Sequence, residues 1–178
     1  MPAPDHPVTE LLTARRDLLA ALQGYAPADL LTPGAEGEWS VRDVLLHIAA
    51  WLRELARLVP DLAVHGRQGG EAFDPGPDWS AWNAAQIEPH RSLRPEAAVA
   101  GVVTAHARLL DTLERFDDAA LRRRGRTRFG FEASGWELLL AEAAHERKHA
   151  ARIATRARHP VTLEDQRCHQ PGPLLRVS

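Results

Sequence analysis

Apolar residues recur at spacings of three and four along most of this chain, the period of a helix with one buried face. Val8, Leu11, Leu12, Leu18, Leu19 and Leu22 form the first stripe, interrupted by Arg15, and predict a helix over about Thr9 to Gly24. Pro27, Pro33 and Gly34 then break the pattern. A second stripe, Val41, Val44, Leu45, Ile48, Leu52 and Leu55, begins after Ser40. Ser40 with Asp43 three positions on has the form of a capping box, and Trp39 is placed to staple back onto the helix. This helix is expected to end near Val59-Pro60. Residues 61–78 hold several Gly and Pro and no period, a loop length that tends to carry function. A short helix is expected from Trp79 to His90, with Asp78 or Ser80 as its cap. A third long helix starts at about Pro95, a good first-turn residue, with Val99, Val102, Val103, His106, Leu109, Leu110 and Leu113 as its stripe. It fades by Asp118, and a basic loop leads to Ala133. Ser134 with Glu137 is a second capping-box pattern, and the helix it opens runs to about Arg158, before Pro160.

Four long amphipathic helices joined by two long connections predict an all-α protein, a four-helix bundle. No segment alternates apolar and polar residues long enough to demand a sheet, and there are no repeats. Residues 1–160 are assigned to the bundle. Residues 161–178, with Gly, two Pro and no period, form an irregular tail.

At 178 residues the chain fits one domain with a proper core, and its formal net charge of -2 gives no global attraction to nucleic acid or a membrane surface. The run Arg122-Arg123-Arg124-Gly125-Arg126-Thr127-Arg128 is basic, and a solvated loop explains it at least as well as a phosphate contact. All other basic residues are Arg except Lys148. Cys168 is alone, so no intrachain disulfide can form. The first residues lack a basic segment followed by an apolar one, and no window reaches membrane-spanning length. A cytoplasmic location is expected.

The candidate chemistry lies in three histidines. His145 and His149 are four residues apart in the last helix, so their imidazoles lie one above the other on one face with Leu138, Ala141 and Ile153. His47 falls at the edge of the second helix's buried face, beside Val44 and Trp51. Three neutral imidazoles from facing helices can close on one metal ion and leave a coordination position open. The competing reading at each position is a hydrogen-bonded histidine at the core boundary. His145-Glu146-Arg147-Lys148-His149 matches the H-E-x-x-H pattern, with Glu146 as the would-be general base. A protease is set aside because no third ligand follows nearby except His159, beyond the helix, and a bundle offers no sheet edge for an extended peptide. Glu142 and Glu146 are the nearby carboxylates, each expected to be solvated. Asp43, one turn before His47, is a candidate partner for its distal N–H as well as a cap. His106, mid-stripe on the third helix, reads as a core histidine. His159, Cys168 and His169 fit no compact ligand spacing.

Gly37-Glu38-Trp39-Ser40-Val41-Arg42-Asp43-Val44-Leu45-Leu46-His47-Ile48-Ala49-Ala50-Trp51 resembles the second-helix signature of the DinB-like superfamily, and His145-Glu146-Arg147-Lys148-His149-Ala150-Ala151-Arg152-Ile153 resembles its last-helix signature. The resemblance covers roughly Val8 to Arg158. It implies a four-helix bundle binding a divalent metal, often zinc or nickel, through His47, His145 and His149, and a homodimer as a candidate assembly. The superfamily includes bacillithiol and mycothiol transferases and a mycothiol-dependent maleylpyruvate isomerase. Trp82-Asn83 and Ile87-Glu88-Pro89-His90-Arg91 resemble the inserted middle segment of the DfsB-like group, which includes a colibactin self-protection protein. That group lacks the full His-xxx-His pair kept here.

A thiol bound at such an ion would be held as thiolate, its nucleophilic form. The expected function is therefore a metal-dependent S-transferase that activates a low-molecular-weight thiol toward a small-molecule electrophile. Residues 61–78 and the Arg122–Arg128 run are expected at the pocket mouth, with Arg side chains available for a thiol cofactor's carboxylates. The alternatives are a metal-dependent hydrolase using the same ligands, and a non-catalytic ligand-binding or stress-protection protein.

Overall fold

The computed structural model describes residues 6–67 and 79–158. Four long helices dominate: α1 (Pro7–Ala21), α2 (Val41–His65), α4 (Pro95–Leu113) and α6 (Gly135–Arg158). Two short helices, α3 (Ser80–Ile87) and α5 (Asp118–Leu121), and a hairpin of β1 (Arg124–Arg126) and β2 (Glu132–Ser134) occupy the connections. Helix α1 packs chiefly on α6 and α2 chiefly on α4, with α2 also against α6. The shared core is built from Leu11, Leu18, Leu45, Leu52, Leu109 and Leu139, all essentially without solvent exposure. No described helix is long and apolar enough to cross a membrane.

Both capping boxes form. Asp43 N–H donates to Ser40 Oγ at 3.2 Å while Ser40 N–H donates to Asp43 Oδ2 at 3.0 Å. Ser134 N–H donates to Glu137 Oε2 at 2.8 Å, and Glu137 N–H to Ser134 Oγ at 3.2 Å. These satisfy N–H groups that a helix start otherwise leaves without partners.

Three expectations are corrected. Helix α2 does not stop at Pro60 but carries it internally and ends at Gly66, a left-handed cap with φ of 64°. Leu58, Val59, Leu62 and Ala63 are all buried across the proline. Their burial holds the helix together where one backbone hydrogen bond is lost. The segment after α5 is not a plain loop: Arg124 pairs with Ser134 and Arg126 with Glu132 in a two-stranded antiparallel ribbon. Short strands of three residues carry no readable alternation. The helix expected over Trp79–His90 is α3 followed by a 3₁₀ turn at Glu88–His90, and the residue at the N-cap of α3 is Trp79, whose side chain makes no capping hydrogen bond. The proposed cap Asp78, most of the Gly/Pro-rich stretch, and His159, Cys168 and His169 lie outside the described residues.

The hairpin is fixed by a close crossing. Arg126 N–H donates to the Gly66 carbonyl at 3.2 Å, and a Cβ at Gly125 would overlap that same peptide group. Only glycine lets β1 lie so near the end of α2. The crossing sets where Phe129 and Phe131, in the ribbon's turn, reach back over the bundle.

Candidate metal centre

Helices α2 and α6 bring the three histidines together. His145 Nε2 lies 2.9 Å from His47 Nε2 and 2.9 Å from His149 Nε2. One nitrogen from each ring falls within 4.8 Å of the others. His47 and His149 are buried, and His145 is partly open on the cavity side. Burial, then repulsion from His145 and His149, pushes the His47 imidazolium down to a pKa of about 3. Burial, then repulsion from His145 and Lys148, pushes His149 down to about 3 as well. Both rings are therefore neutral at physiological pH with lone pairs available, as a metal ligand requires.

A carboxylate lies close to the far side of two rings. Glu142 Oε2 lies 3.2 Å from His145 Nδ1, one turn back on α6. Glu36 Oε2 lies 2.7 Å from His149 Nδ1 and comes from the loop ahead of α2. Positive φ at Gly34 (99°) and Gly37 (57°) folds that loop tightly. The Trp39 carbonyl takes N–H donors from Gly34, Ala35 and Glu36. Arg152 of α6 pairs with Glu36, and Arg156 donates to the Pro33 carbonyl at 2.7 Å. Glu142, within hydrogen-bond distance of His145 Nδ1, favours the His145 tautomer in which Nε2 carries the free lone pair, whereas His149 Nδ1 and Glu36 Oε2 lie close without a hydrogen bond between them.

A cavity of about 510 Å³ opens beside His47 and His145, walled by Trp51, Trp79, Phe129 and Phe131. A second of about 340 Å³ reaches the triad from the Glu36 side. Asn83 and Lys148 border both. The aromatic wall is continuous: ring centroids lie 5.4 Å apart for Trp51 and Trp79, 4.4 Å for Trp51 and Trp82, and 5.2 Å for Trp79 and Phe129. Trp51 Nε1–H donates to Asn83 Oδ1 at 3.3 Å, tying α2 to α3.

The family model described as the DinB superfamily matches residues 10–153. The chain belongs to the DinB superfamily. Among solved structures it is similar to a mycothiol-dependent maleylpyruvate isomerase, with a TM-score of 0.70 and 15% identity over 85% of this chain. It spans 61% of that isomerase's length. It is also similar to YfiT from Bacillus subtilis, described as a probable metal-dependent hydrolase with an unusual four-helix bundle topology; there the TM-score is 0.65 and identity 21%, over 86% of this chain and 85% of that one. At these identities the likeness is one of fold. No curated protein sequence matches the chain significantly.

Within this DinB superfamily bundle, other residues singled out in the sequence fall differently. Asp43 is not a partner of His47. Its oxygens accept from Ser40 and from Arg42 Nη2 at 3.1 Å, and His47 Nδ1 has no hydrogen-bond partner among the described residues. Glu142 and Glu146 are not solvated: both are buried. Glu146 lines neither cavity and faces the bundle interior, where burial and the neighbouring Glu142 push its carboxyl up to about 8 while Arg15 of α1 opposes them. That placement removes it as the general base of an H-E-x-x-H site. His106 is a buried core residue, apart from the triad, whose proton affinity is lowered by burial and then by Arg15. The arginines of the 122–128 run are largely engaged. Arg122 stacks 3.4 Å over Trp136, Arg123 donates to the Ala63 carbonyl, Arg124 pairs with Glu137, and Arg128 donates to Glu54 at 3.0 Å. The run shapes the cavity through Phe129 just beyond it rather than by presenting charge. Glu36 and the aromatic wall were not anticipated from the sequence. The clustering of four of the five tryptophans (Trp39, Trp51, Trp79 and Trp82) about one site has no signature in sequence spacing.

Proposed function

We propose that this protein is a divalent-metal-dependent enzyme acting on a small molecule, and that its reaction is transfer of a thiol sulfur to a carbon electrophile. The observation that supports it most is the convergence of three Nε2 atoms, two of them on rings with depressed proton affinity, beside an aromatic-walled cavity that His47 and His145 line. Imidazole donors suit zinc or nickel, and three protein ligands suit a reactive rather than a closed structural site. His47, His145 and His149 would hold the ion, which supplies positive charge and Lewis acidity that favour the thiolate form of a thiol.

The chain's own groups then have defined tasks. Glu142 keeps the His145 ring turned with Nε2 toward the centre, and Glu36 places a carboxylate beside the His149 ring. Glu142 Oε1, buried and without a hydrogen-bond partner among the described residues, is the atom assigned to take the thiol proton. Trp51, Trp79, Phe129 and Phe131 keep water from the nucleophile. The sulfur forms a bond to the electrophilic carbon as the displaced electron pair moves onto the substrate, which collects the proton from Glu142 or solvent.

Hydrolysis is the second reading. It is favoured by the likeness to YfiT over nearly the full length of both chains and needs the same residues with water in place of the thiol. Elemental analysis of wild type, His47→Ala and His145→Ala tests the shared premise. About one ion per chain, lost in both variants, supports it; no uptake by wild type sinks both readings. Turnover of electrophiles by metal-loaded protein with and without small thiols then separates them. Thiol-dependent product with a new C–S bond supports transfer, and thiol-independent turnover supports hydrolysis. Tight ligand binding with no turnover under either condition would leave a binding protein.

A further inference from the structure

The cavity beside the triad has two chemically distinct ends. One is built from the mutually tilted rings of Trp51, Trp79 and Phe129, an apolar surface extended by Phe131, which is 42% exposed at the rim. At the other, the polar groups besides the histidines and Glu142 are Asn83 and Lys148. Asn83 spends its Oδ1 on Trp51 Nε1–H, which turns its NH₂ group into the free function. Lys148 offers only donors.

Lys148 also differs from its neighbours. It is the one lysine in a chain whose other side-chain cations are arginines. On α6, Arg147 pairs with Glu10 at 2.6 Å, Arg152 pairs with Glu36, and Arg156 is bound to the Thr32 and Pro33 carbonyls. Lys148 has no carboxylate partner among the described residues. Glu36 and Glu142, the acidic groups nearest the triad, are turned onto His149 and His145. A residue carrying a point cation and one carrying an amide donor therefore line the same cavity as the aromatic wall.

We propose that this site selects an aromatic carboxylate as its substrate: a flat apolar body against Trp51, Trp79 and Phe129, with its carboxylate on Lys148 and the Asn83 NH₂ group. Lys148 is thereby a specificity-determining residue for an anion. A cavity of about 510 Å³ holds a bicyclic acid with room for a small co-substrate. The proposal rests on the metal-site reading only in assigning the ligand to the substrate side of that centre.

Calorimetric titration with naphthalene-2-carboxylate, naphthalene-2-carboxamide and acetate tests it, in metal-free and zinc-loaded full chain, with zinc content measured on the same samples. The acid is expected to bind about tenfold tighter than the amide, as a charge-assisted pair does against a neutral one, and acetate to bind weakly. Lys148→Gln should remove the preference with zinc content unchanged, and Lys148→Arg should keep it. Phe131→Ala should weaken acid and amide alike. Equal binding of acid and amide by wild type, or an acid preference that survives Lys148→Gln, overturns the proposal. If zinc binds normally but the preference is absent, the substrate class fails and the metal centre stands. A Lys148-dependent preference in protein that takes up no zinc has the opposite meaning.

Discussion

At the scale of single residues, the centre depends on charges that do not point at it. Glu36 reaches His149 Nδ1 from a loop held by Gly34, Gly37 and the Trp39 carbonyl. Replacing it by Gln keeps the shape and removes the charge. Glu36→Gln is expected to lower zinc affinity by about tenfold or more, read by competition with a chromophoric chelator. Unchanged affinity would mean that Glu36 serves Arg152 alone. Glu146 has a different consequence. Its carboxyl keeps a proton up to about pH 8 in the folded chain, because it is buried beside Glu142. In the unfolded chain it loses that proton near the ordinary glutamate value. Between those values the folded state binds more protons, so raising the pH favours unfolding. Between pH 7 and 8 His47 and His149 are neutral in the fold and only a minority are protonated in the unfolded chain, so they oppose this loss by no more than about 0.3 kcal/mol. Metal-free protein should therefore lose about 1 kcal/mol between pH 7 and 8 in urea unfolding, and Glu146→Gln should not. An equal fall in both would remove Glu146 as its cause.

At the scale of elements, the hairpin is the part whose position rests on one backbone contact. A methyl group at Gly125 meets the Gly66 peptide, which is backbone and cannot swing aside. Gly125→Ala should cost about 1–3 kcal/mol in thermal unfolding, by forcing the ribbon off the end of α2, and should weaken any ligand that uses Phe129. A variant as stable as wild type would show that the ribbon shifts freely. This element also marks where sequence reading stops. The long helices were legible because Leu11, Leu18, Leu45, Ile48, Leu52 and Leu109 repeat at helical spacing and two capping boxes announce helix starts. Pro60 misled because it sits where Leu58, Val59 and Leu62 stay buried around it, and packing outweighs the lost hydrogen bond. The histidines were legible for the same reason as the helices: i,i+4 spacing and position on a buried face are local facts. Glu36, Asn83, Phe129 and Phe131 reach the site from a turn, a short helix and a hairpin loop. Their approach is decided by contacts across the bundle, which spacing along the chain does not encode.

At the scale of the whole molecule, the three histidines join two helices whose histidines are 98 residues apart in sequence. The unfolded chain retains His145 and His149 as neighbours but not His47, so the full donor set exists only when α2 lies against α6. An ion that needs all three binds the folded state in preference, and linkage turns its affinity into stability. Without an ion, the same place concentrates buried polar atoms: His47 Nδ1 and Glu142 Oε1 have no hydrogen-bond partner among the described residues. Such groups weaken a bundle unless they serve a site. Zinc at about a thousand times its dissociation constant should therefore raise the unfolding free energy by roughly 4 kcal/mol, visible as a clear rise in melting temperature that excess chelator reverses. His47→Ala tests whether the gain comes from joining the helices. It leaves the α6 pair intact, which on its own can bind an ion but cannot hold α2 to it. The variant should fold, keep at most weak zinc binding and show little zinc-dependent rise. A full rise in His47→Ala would place the stabilising ion on α6 alone and remove α2 from the centre.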